Sequence, residues 1–299
     1  MAGRALVTGL SGFTGSYMAR ELEALGYRVY GLGQTGQSSG DNIVVDLRDA
    51  QGVKSAVASI QPDLVVHLAA VAFVAHGDVA DIYSSNIVGT RNLLSALSLC
   101  DRAPHKVLLA SSANVYGNVS ASLLIDEDCT LQPENDYAVS KCAMEMVAHC
   151  WRDKLPIIIA RPFNYTGVGQ SLSFLLPKLV DHFARGLARV ELGNIDVYRD
   201  FSDVRVVTNA YARLLSLGEP GQVYNVCSGH VYAIRQVLDI LAELAGYAID
   251  VQINPEFVRV NEVKHLAGSN QRLVRAIGEL ESIPLANTLE WMYQTKTAR

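Results

Sequence analysis

The sequence contains few cysteines, and their spacing argues against the structural uses of that residue. The five cysteines are scattered along 299 residues, and no two of them form a C-x-x-C pair. This distribution is typical of reduced thiols, and it predicts neither a disulfide framework nor a zinc site. We therefore expect no bound metal and a cytoplasmic location. The cysteines are Cys100, Cys129, Cys142, Cys150 and Cys227.

Long apolar runs and an excess of positive charge are also missing. The longest apolar run, LVVHLAAVAFVA from Leu64 to Ala75, is about half the length that spans a bilayer. The N-terminal MAGRALVTGLSG has too short an apolar stretch for a signal peptide. The net charge of −5 and the pI near 5.8 argue against a nucleic-acid partner. We expect a protein that binds neither membranes nor nucleic acids.

The sequence does contain many apolar residues in a regular alternation. Hydrophobic residues make up 49% of the chain and charged residues 18%, which favours a sizeable core and about two domains. Runs rich in Val, Ile and Leu alternate with helical patterns, which predicts an α/β fold with a doubly wound parallel sheet. The predicted strands are RALVTG, YRVYGLG, NIVVDL, PDLVVHLAA, HKVLLASSA and LPIIIARP.

The alternation changes after Arg161. Helices are predicted for SFLLPKLVDHFARGL, RVVTNAYARLLSL and RQVLDILAELAG, a turn for VYRDFSDV and a strand for QVYNVCS, with only short pieces beyond. We interpret this part as a smaller α+β domain interleaved with the first. The predicted boundaries are residues 1–165 and 196–228 for a dinucleotide-binding domain, and 166–195 and 229–299 for a substrate domain.

A glycine-rich turn, TGLSGFTG, stands between the first predicted strand and the first predicted helix. Gly9, Gly12 and Gly15 permit a tight turn, close approach of the backbone to a pyrophosphate, and close helix–strand packing. The N-terminus of the helix offers free N–H groups and the positive end of its dipole to phosphates. Because the turn directly follows a strand and opens a helix, it predicts a dinucleotide site.

The end of the second strand bears on the identity of the dinucleotide. Residues 31–39 contain no Asp or Glu that would bind the ribose 2′-hydroxyl of NAD, and no Arg or Lys that would hold a 2′-phosphate. Since a 2′-phosphate would meet no repulsion there, we expect NADP, with NAD possible. Asp46 follows the third strand and either meets the adenine edge or caps the next helix.

Tyr137 and Lys141 in ENDYAVSKCAMEMVAHC are four residues apart on a predicted helix and therefore share one face. Ser112 ends the fifth strand at the carboxyl edge of the sheet, where open α/β sheets bind ligands. An ammonium and an oxidised nicotinamide would lower the pKa of the phenol from its usual value near 10. Tyr137 could then exchange a proton with a carbonyl oxygen that Ser112 orients.

At this point the sequence resembles the extended short-chain dehydrogenase/reductases that modify nucleotide sugars. The resemblance rests on TGLSGFTG, VDL, PDLVVHLAA, SSNIVGTRNLL, SSANVYG, YAVSK, RPFNYTGVGQ, YRDFSDV and VYNVCSG in that order. It implies a Rossmann-like fold and a catalytic Ser112, Tyr137 and Lys141. The implied cofactor-binding residues are Gly9, Gly12, Phe13, Thr14, Gly15, Asp46, Leu47, Leu68, Ala69, Ala70, Asn86, Tyr137 and Lys141.

The resemblance also implies a binding site for a sugar nucleotide. Asn164 matches an asparagine that binds a phosphate, and Arg199 and Arg259 match arginines that hold the pyrophosphate, a task that suits the planar guanidinium. Glu262 matches an acidic residue that accepts a ribose hydroxyl. The alternatives are surface ion pairs: Arg199 with Asp200 or Asp203, and Arg259 with Glu262.

Among the subfamilies, FNYTGVGQSLSF, RDFSDVR, NVCSG and GSNQRL look most like reductases of GDP-4-keto-6-deoxy-D-mannose, which make GDP-D-rhamnose. Dehydratases usually carry a carboxylate at the position of Asn114, which disfavours that reaction. The alternatives are a 4-epimerase that retains NAD, a reductase giving GDP-6-deoxy-D-talose, and a dinucleotide sensor without activity.

Three further expectations concern contacts. We expect a homodimer, because relatives pair the helices that match those containing Asn86 and Tyr137, and here these helices carry additional apolar residues. The alternative is that these residues face only the sheet. His67 is expected to be a packed core residue, and IDEDC (residues 125–129) a solvated loop. The additional apolar residues are Ile82, Leu93, Leu94 and Leu97 on one helix, and Met144, Met146, Val147 and Trp151 on the other.

Overall fold

A computed structural model describes residues 2–34, 41–72, 78–118, 124–258 and 263–298. The first half alternates strands with helices. Its elements are β1 Arg4–Thr8, α1 Phe13–Ala24, β2 Arg28–Gly33, β3 Asn42–Val44, α2 Ala50–Ile60, β4 Leu64–His67, α3 Val79–Tyr83, a π-helical segment Ser84–Val88, α4 Gly89–Leu97, β5 Lys106–Ala110, a 3-10 turn Ala113–Tyr116, α5 Asp136–His149 and β6 Ile157–Pro162.

The second half has shorter strands and a less regular order. Its elements are β7 Asn164–Thr166, α6 Leu175–Ala184, β8 Arg189–Leu192, β9 Tyr198–Asp203, α7 Val204–Leu217, β10 Val223–Val226, β11 Val231–Ala233, α8 Ile234–Ala245, β12 Asp250–Ile253, a 3-10 turn Pro255–Phe257, β13 His265–Leu266, α9 Gln271–Ile277 and α10 Leu285–Thr297.

Seven strands form one parallel sheet in the order β10-β6-β5-β4-β1-β2-β3. Alternate residues of β1 face opposite sides: Ala5 and Val7 join an apolar cluster with α1 and α7, whereas Leu6 joins one with α2, α4 and α5. Helices therefore cover both faces, and the predicted doubly wound sheet is confirmed. Strand order reverses between β1 and β4, which opens a crevice at the carboxyl edge.

A second sheet is built around β9. Strands β7 and β13 pair with it in parallel and β11 in antiparallel, while β8 and β12 form a separate pair. Helices α6, α8 and α10 contribute to the apolar cluster beside these strands. The predicted division of the chain into two domains, with the boundaries given above, stays a prediction.

Two predictions for the second half were wrong. VYRDFSDV contains strand β9 and not a turn. Its charged residues are atypical of a strand, and hydrogen bonds to the neighbouring strands hold it in an extended conformation. The segment beyond α9 contains the 13-residue helix α10 and not only short pieces. Leu285, Leu289 and Met292 lie along its buried side, separated by polar residues that weaken the apolar pattern.

Two buried tyrosines differ in their hydrogen bonds and should respond oppositely to loss of the hydroxyl. The Tyr211 hydroxyl is buried and has no hydrogen-bond partner among the described residues, whereas the Tyr116 hydroxyl donates to Asn225 Oδ1 and accepts from Arg161 Nη1. An unpartnered buried hydroxyl costs about 1–3 kcal/mol. We expect Tyr211→Phe to raise the free energy of unfolding by about 1 kcal/mol and Tyr116→Phe to lower it by about 1–3 kcal/mol. Urea denaturation measures both, and a Tyr211→Phe variant less stable than wild type would contradict the first expectation.

Candidate active site

The glycine turn has the geometry that close approach of a ligand requires. Gly9 has a φ of +72°, in the left-handed region that favours glycine, and its carbonyl oxygen accepts a hydrogen bond from Gly12 N at 3.0 Å. A Cβ at Gly15 would lie 2.3 Å from the Gly9 carbonyl oxygen, so a side chain there would force the turn open. Gly12 caps α1 without a side chain, which leaves the first N–H groups of the helix for a ligand.

The other predicted cofactor residues surround this turn at the carboxyl edge of the sheet. Phe13 and Thr14 begin α1, and Leu68, Ala69 and Ala70 directly follow β4. The backbone of Ala69 packs closely on Gly9, where a Cβ would lie 3.0 Å from Ala69 N. Leu47 is buried beyond β3.

Asp46 does not cap the helix that follows it. The cap of α2 is Asp49, whose side chain accepts hydrogen bonds from Gln51 N and Gly52 N, so the capping alternative for Asp46 was wrong. The Asp46 carboxylate instead accepts hydrogen bonds from the Arg48 guanidinium, which lower its pKa to about 2. Its role at the adenine edge stays a prediction.

Ser112 and Tyr137 lie next to each other at the carboxyl edge. Ser112 caps the 3-10 turn after β5, where its Oγ accepts a hydrogen bond from Asn114 N at 3.2 Å. Tyr137 lies in the first turn of α5, which begins where Asn135 Oδ1 accepts a hydrogen bond from Ala138 N. The side chains of Ser112 and Tyr137 are hydrogen-bonded to each other.

Lys141 lies one turn further along α5 and is almost fully buried. Its Nζ is 6.0 Å from the centroid of the Tyr137 ring and donates a hydrogen bond to the Ala110 carbonyl oxygen at 2.7 Å. Burial lowers the pKa of Lys141 to about 8, and the nearby Glu145 carboxylate opposes that shift. The structure thus brings together the three residues that the sequence singled out for proton transfer.

The pKa of Tyr137 is raised in the protein alone. Burial of the phenol is the largest cause, Tyr165 adds to it, and the hydrogen bond with Ser112 acts in the opposite direction. In the protein alone, the cost of burying a phenolate exceeds the favourable effect of the Ser112 hydrogen bond on the pKa. The lowering expected from the Lys141 ammonium together with an oxidised nicotinamide stays a prediction. The phenol is protonated at neutral pH, the state in which it can donate a proton.

Asn86 fixes the first turn of α5 from the neighbouring helix. It lies in the π-helical segment, where its Oδ1 accepts a hydrogen bond from Val71 N at 2.9 Å and its Nδ2 donates to Ser140 Oγ at 2.9 Å. Ser140 Oγ donates in turn to the Tyr137 carbonyl oxygen at 2.7 Å. The π-helical geometry, which the sequence did not reveal, aims the amide inward.

His67 is a buried neutral residue, as expected. Its Nδ1 and Nε2 lie 2.7 and 2.8 Å from the hydroxyls of Thr8 and Thr90. Thr90 donates its own proton to the Asn86 carbonyl oxygen, so it accepts from His67 Nε2. Burial lowers the pKa of His67 to about 3, so the ring carries no charge at neutral pH.

The predicted substrate residues that the structure describes lie on adjacent strands of the second sheet. Asn164 on β7 donates from Nδ2 to the Asp200 carbonyl oxygen at 3.4 Å, and the largely buried Arg199 on β9 donates from Nη1 to the Tyr198 carbonyl oxygen at 2.9 Å. Asp203 binds the Arg205 guanidinium. Arg259 and Glu262 lie outside the described residues.

A buried ion pair that sequence reasoning missed lies behind the site. Arg161 Nη2 is 2.7 Å from Glu145 Oε2, and both side chains are only 6% exposed. The same carboxylate accepts a hydrogen bond from Ser111, the neighbour of Ser112. Glu145 stands four residues after Lys141, and that helical spacing was the available signal.

The stretch IDEDC is not simply a solvated loop. Ile125 and Glu127 are buried, and Glu127 Oε1 accepts a hydrogen bond from Asn225 N at 2.8 Å. Arg272 Nε lies 3.5 Å from Glu127 Oε2. The expectation was wrong because partners distant in the sequence, on β10 and α9, satisfy the carboxylate.

Most of the additional apolar residues on the two predicted contact helices face the protein's own core. Met146 is 61% exposed, while Val147 and Trp151 pack partly against the core. The alternative, that these positions face the sheet, fits the four that are buried in the cluster with the strands, which are Leu93, Leu94, Leu97 and Met144. Ile82 is also fully buried.

The described residues contain neither a membrane-spanning helix nor a cluster of metal ligands. No described helix combines the length and apolarity that crossing a bilayer requires. Across the same ranges, no group of three or more His, Cys, Asp or Glu side chains is arranged to hold a metal ion.

Two curated proteins are similar to this chain over nearly its whole length. GDP-6-deoxy-D-mannose reductase of Pseudomonas aeruginosa is 37% identical over 299 residues, covering 97% of this chain and 95% of the reductase. GDP-6-deoxy-D-talose 4-dehydrogenase of Aggregatibacter actinomycetemcomitans is 32% identical over 295 residues, covering 97% of each chain.

Two solved structures have the same fold as this chain, and each comparison covers 99% of both chains. The structure of RMD from Pseudomonas aeruginosa complexed with NADPH has a TM-score of 0.86 and 35% identity. A Burkholderia cenocepacia J2315 protein, provisionally described as an epimerase, has a TM-score of 0.92 and 53% identity. The sequence model of the NAD dependent epimerase/dehydratase family matches residues 5–227. The chain therefore belongs to that family, the extended short-chain dehydrogenase/reductases that its motifs resemble.

Proposed function

We propose that the chain reduces the C4 ketone of GDP-4-keto-6-deoxy-D-mannose to the alcohol of GDP-D-rhamnose, with NADPH as reductant. The observation that carries the proposal is the placement of a protonated Tyr137, hydrogen-bonded to Ser112, at the carboxyl edge of the sheet that also carries the glycine turn. The similarity to GDP-6-deoxy-D-mannose reductase supports the substrate class.

The chain's own residues divide the chemistry among them. NADPH, when bound, supplies the hydride for the ketone carbon. Tyr137 donates its phenolic proton to the ketone oxygen, and the Ser112 hydroxyl orients that oxygen. Lys141 then stabilises the phenolate that remains, because its ammonium lies on the same face of α5. The raised pKa of Tyr137 suits reduction, since a reductase needs the protonated phenol.

The glycine turn fits a dinucleotide, because a Cβ at Gly15 would fill the space between α1 and the turn. Gly9, Gly12, Phe13, Thr14 and Gly15 would hold the pyrophosphate. NADP is preferred in the proposal because the similar RMD structure contains NADPH, and NAD stays a possible cofactor. Beyond the turn, the proposed contacts are Asp46, Leu47, Leu68, Ala69, Ala70, Asn86, Tyr137 and Lys141.

The proposed substrate site is the second sheet and its surroundings. Asn164, Arg199 and Arg259 would hold the phosphates of GDP, and Glu262 a ribose hydroxyl. The burial of Arg199 beside Asn164 on adjacent strands supports this assignment for the two described residues. Residues 166–195 and 229–299 would form the substrate domain.

One assay separates the proposed reaction from its rivals. Purified protein with GDP-4-keto-6-deoxy-D-mannose should consume NADPH in step with product, and NMR should identify rhamnose. GDP-6-deoxy-D-talose as the product would instead identify the alternative reductase, in line with the similarity to GDP-6-deoxy-D-talose 4-dehydrogenase. Interconversion of two sugar nucleotides without net NADPH loss would identify an epimerase, and no turnover would identify a sensor.

We infer a cytoplasmic homodimer through the outer faces of α5 and of the π-helical segment before α4, where Val139, Met146 and Val88 are exposed. Burying these side chains against a second copy would remove apolar surface from water. Light scattering should show a dimer that Met146→Lys weakens, and a wild-type monomer would contradict the inference.

A further inference from the structure

Strand β7 carries the proposed substrate residue Asn164, and its middle residue contacts α1. The Tyr165 hydroxyl is 2.8 Å from Thr14 Oγ1, in the first turn of α1. The Tyr165 ring stacks on Phe13 with centroids 6.1 Å apart and planes 14° apart. One strand residue therefore touches two residues of the turn proposed to hold the pyrophosphate.

The residue before Tyr165 points the other way. Because successive side chains of a strand alternate, Asn164 faces away from α1. Its Nδ2 donates to the Asp200 carbonyl oxygen on β9, and Asn164 is the residue proposed to bind a phosphate of the sugar nucleotide. One face of β7 thus contacts the glycine turn through Tyr165, and the other carries Asn164, which is proposed to bind the sugar nucleotide.

A second hydroxyl joins the same segment to the same helix. Tyr17, one helical turn after Phe13, donates to the Val168 carbonyl oxygen at 2.7 Å. That hydrogen bond involves neither Thr14 nor Asn164. The Tyr17 ring also meets Phe13 edge-on, with centroids 5.6 Å apart, a contact that Tyr17→Phe would keep. Tyr17 therefore offers a matched comparison: a tyrosine hydroxyl that ties α1 to the chain after β7 without a hydrogen bond through Thr14.

Tyr165 also lies close to the proposed proton donor. Its charge, when ionised, acts on Tyr137 and raises the pKa of that residue. On its other side the ring packs against the apolar cluster that contains Tyr211. Tyr165 therefore contacts both the core and the glycine turn, and it lies near enough to Tyr137 to influence its charge.

We propose that Tyr165 is a positioning residue that couples binding of the dinucleotide to binding of the sugar nucleotide, by fastening β7 to α1 through Thr14. The inference rests on the proposed function. A dinucleotide phosphate at the turn fixes Thr14, hence Tyr165, β7 and the neighbouring Asn164. The second ligand then meets a strand that is already ordered and binds more tightly. Linkage requires the same factor in the opposite direction.

The coupling is measured without turnover by titrating NADPH fluorescence with and without saturating GDP, the nucleotide part of the substrate. We expect GDP to tighten NADPH binding to wild-type protein about fivefold, the lower end of typical coupling. Tyr165→Phe keeps the ring and its stack on Phe13 but removes the hydroxyl. In this variant the ratio of the NADPH dissociation constants without and with GDP should fall to about one. NADPH should tighten GDP binding by the same factor in wild type and not in the variant.

Three variants make the test specific. Thr14→Val removes the other partner and should abolish the same coupling, and the double variant with Tyr165→Phe should lose nothing more. Tyr17→Phe should retain the wild-type ratio. Undiminished coupling in Tyr165→Phe or Thr14→Val, equal loss in Tyr17→Phe, or a wild-type NADPH affinity insensitive to GDP would each overturn the inference. None of these results bears on the reductase proposal, which turnover of the ketosugar by wild-type protein decides separately.

Discussion

Replacing Tyr137 with phenylalanine should abolish most of the turnover while leaving NADPH binding close to that of wild type. The substitution removes only the hydroxyl that would protonate the ketone oxygen, and general acid catalysis of this kind contributes roughly 10²- to 10⁴-fold to a rate. We therefore expect kcat for ketosugar reduction to fall by about that factor, measured as loss of NADPH absorbance. Binding of NADPH by fluorescence should change little, because the ring and its contacts on α5 remain.

A neighbouring tyrosine provides the control for this experiment. The Tyr83 hydroxyl donates to Asp136 Oδ1 at 2.7 Å, next to Tyr137 in the chain. Tyr83→Phe also removes one hydroxyl at the beginning of α5, but it leaves the hydrogen bond between Ser112 and Tyr137 untouched. It should turn over at nearly the wild-type rate. Wild-type turnover by Tyr137→Phe would show that another group supplies the proton.

Loss of the Glu145 carboxylate should produce the largest fall in stability. Glu145→Gln leaves the Arg161 guanidinium buried without a charge partner, and breaking such a pair costs about 3–5 kcal/mol. Arg161 also donates to the Tyr116 hydroxyl, so the disturbance reaches the turn that follows Ser112. We expect the free energy of unfolding, measured by urea denaturation, to fall by that amount.

Two comparisons define what the ion pair contributes. Arg235 and Asp196 form an exposed pair, and Arg235→Gln should change stability by less than about 1 kcal/mol. The double variant Glu145→Leu with Arg161→Met removes both buried charges and should recover part of the loss. A Glu145→Gln protein as stable as Arg235→Gln would mean that the Arg161 charge finds another partner or water.

The sequence predicted the parallel sheet well because its strands carry their own signal. Val, Ile and Leu dominate β4, β5 and β6, which are buried on both faces, and glycines mark the turn after β1. Lys141 and Tyr137 were recognisable because helical spacing is local. These features depend on residues near each other in the chain, so a single sequence displays them.

Features that depend on distant partners were not predictable. Strand β9 carries Arg199, Asp200 and Asp203, and only its pairing with three other strands explains an extended conformation there. Glu127 became a buried residue because Asn225 and Arg272 satisfy it from far along the chain. The rise in the Tyr137 pKa in the protein alone was not predicted for a related reason: burial is a property of the folded chain.

The π-helical segment between α3 and α4 has a consequence for changes in chain length. Each residue of a regular α-helix advances the winding by about 100°, so the wider turn across residues 84–88 sets the angular offset between the two helices. Deleting one residue there would restore ordinary winding and swing the Asn86 amide away from Val71 and Ser140. The helix would become more regular, and α5 would lose the amide that steadies its beginning.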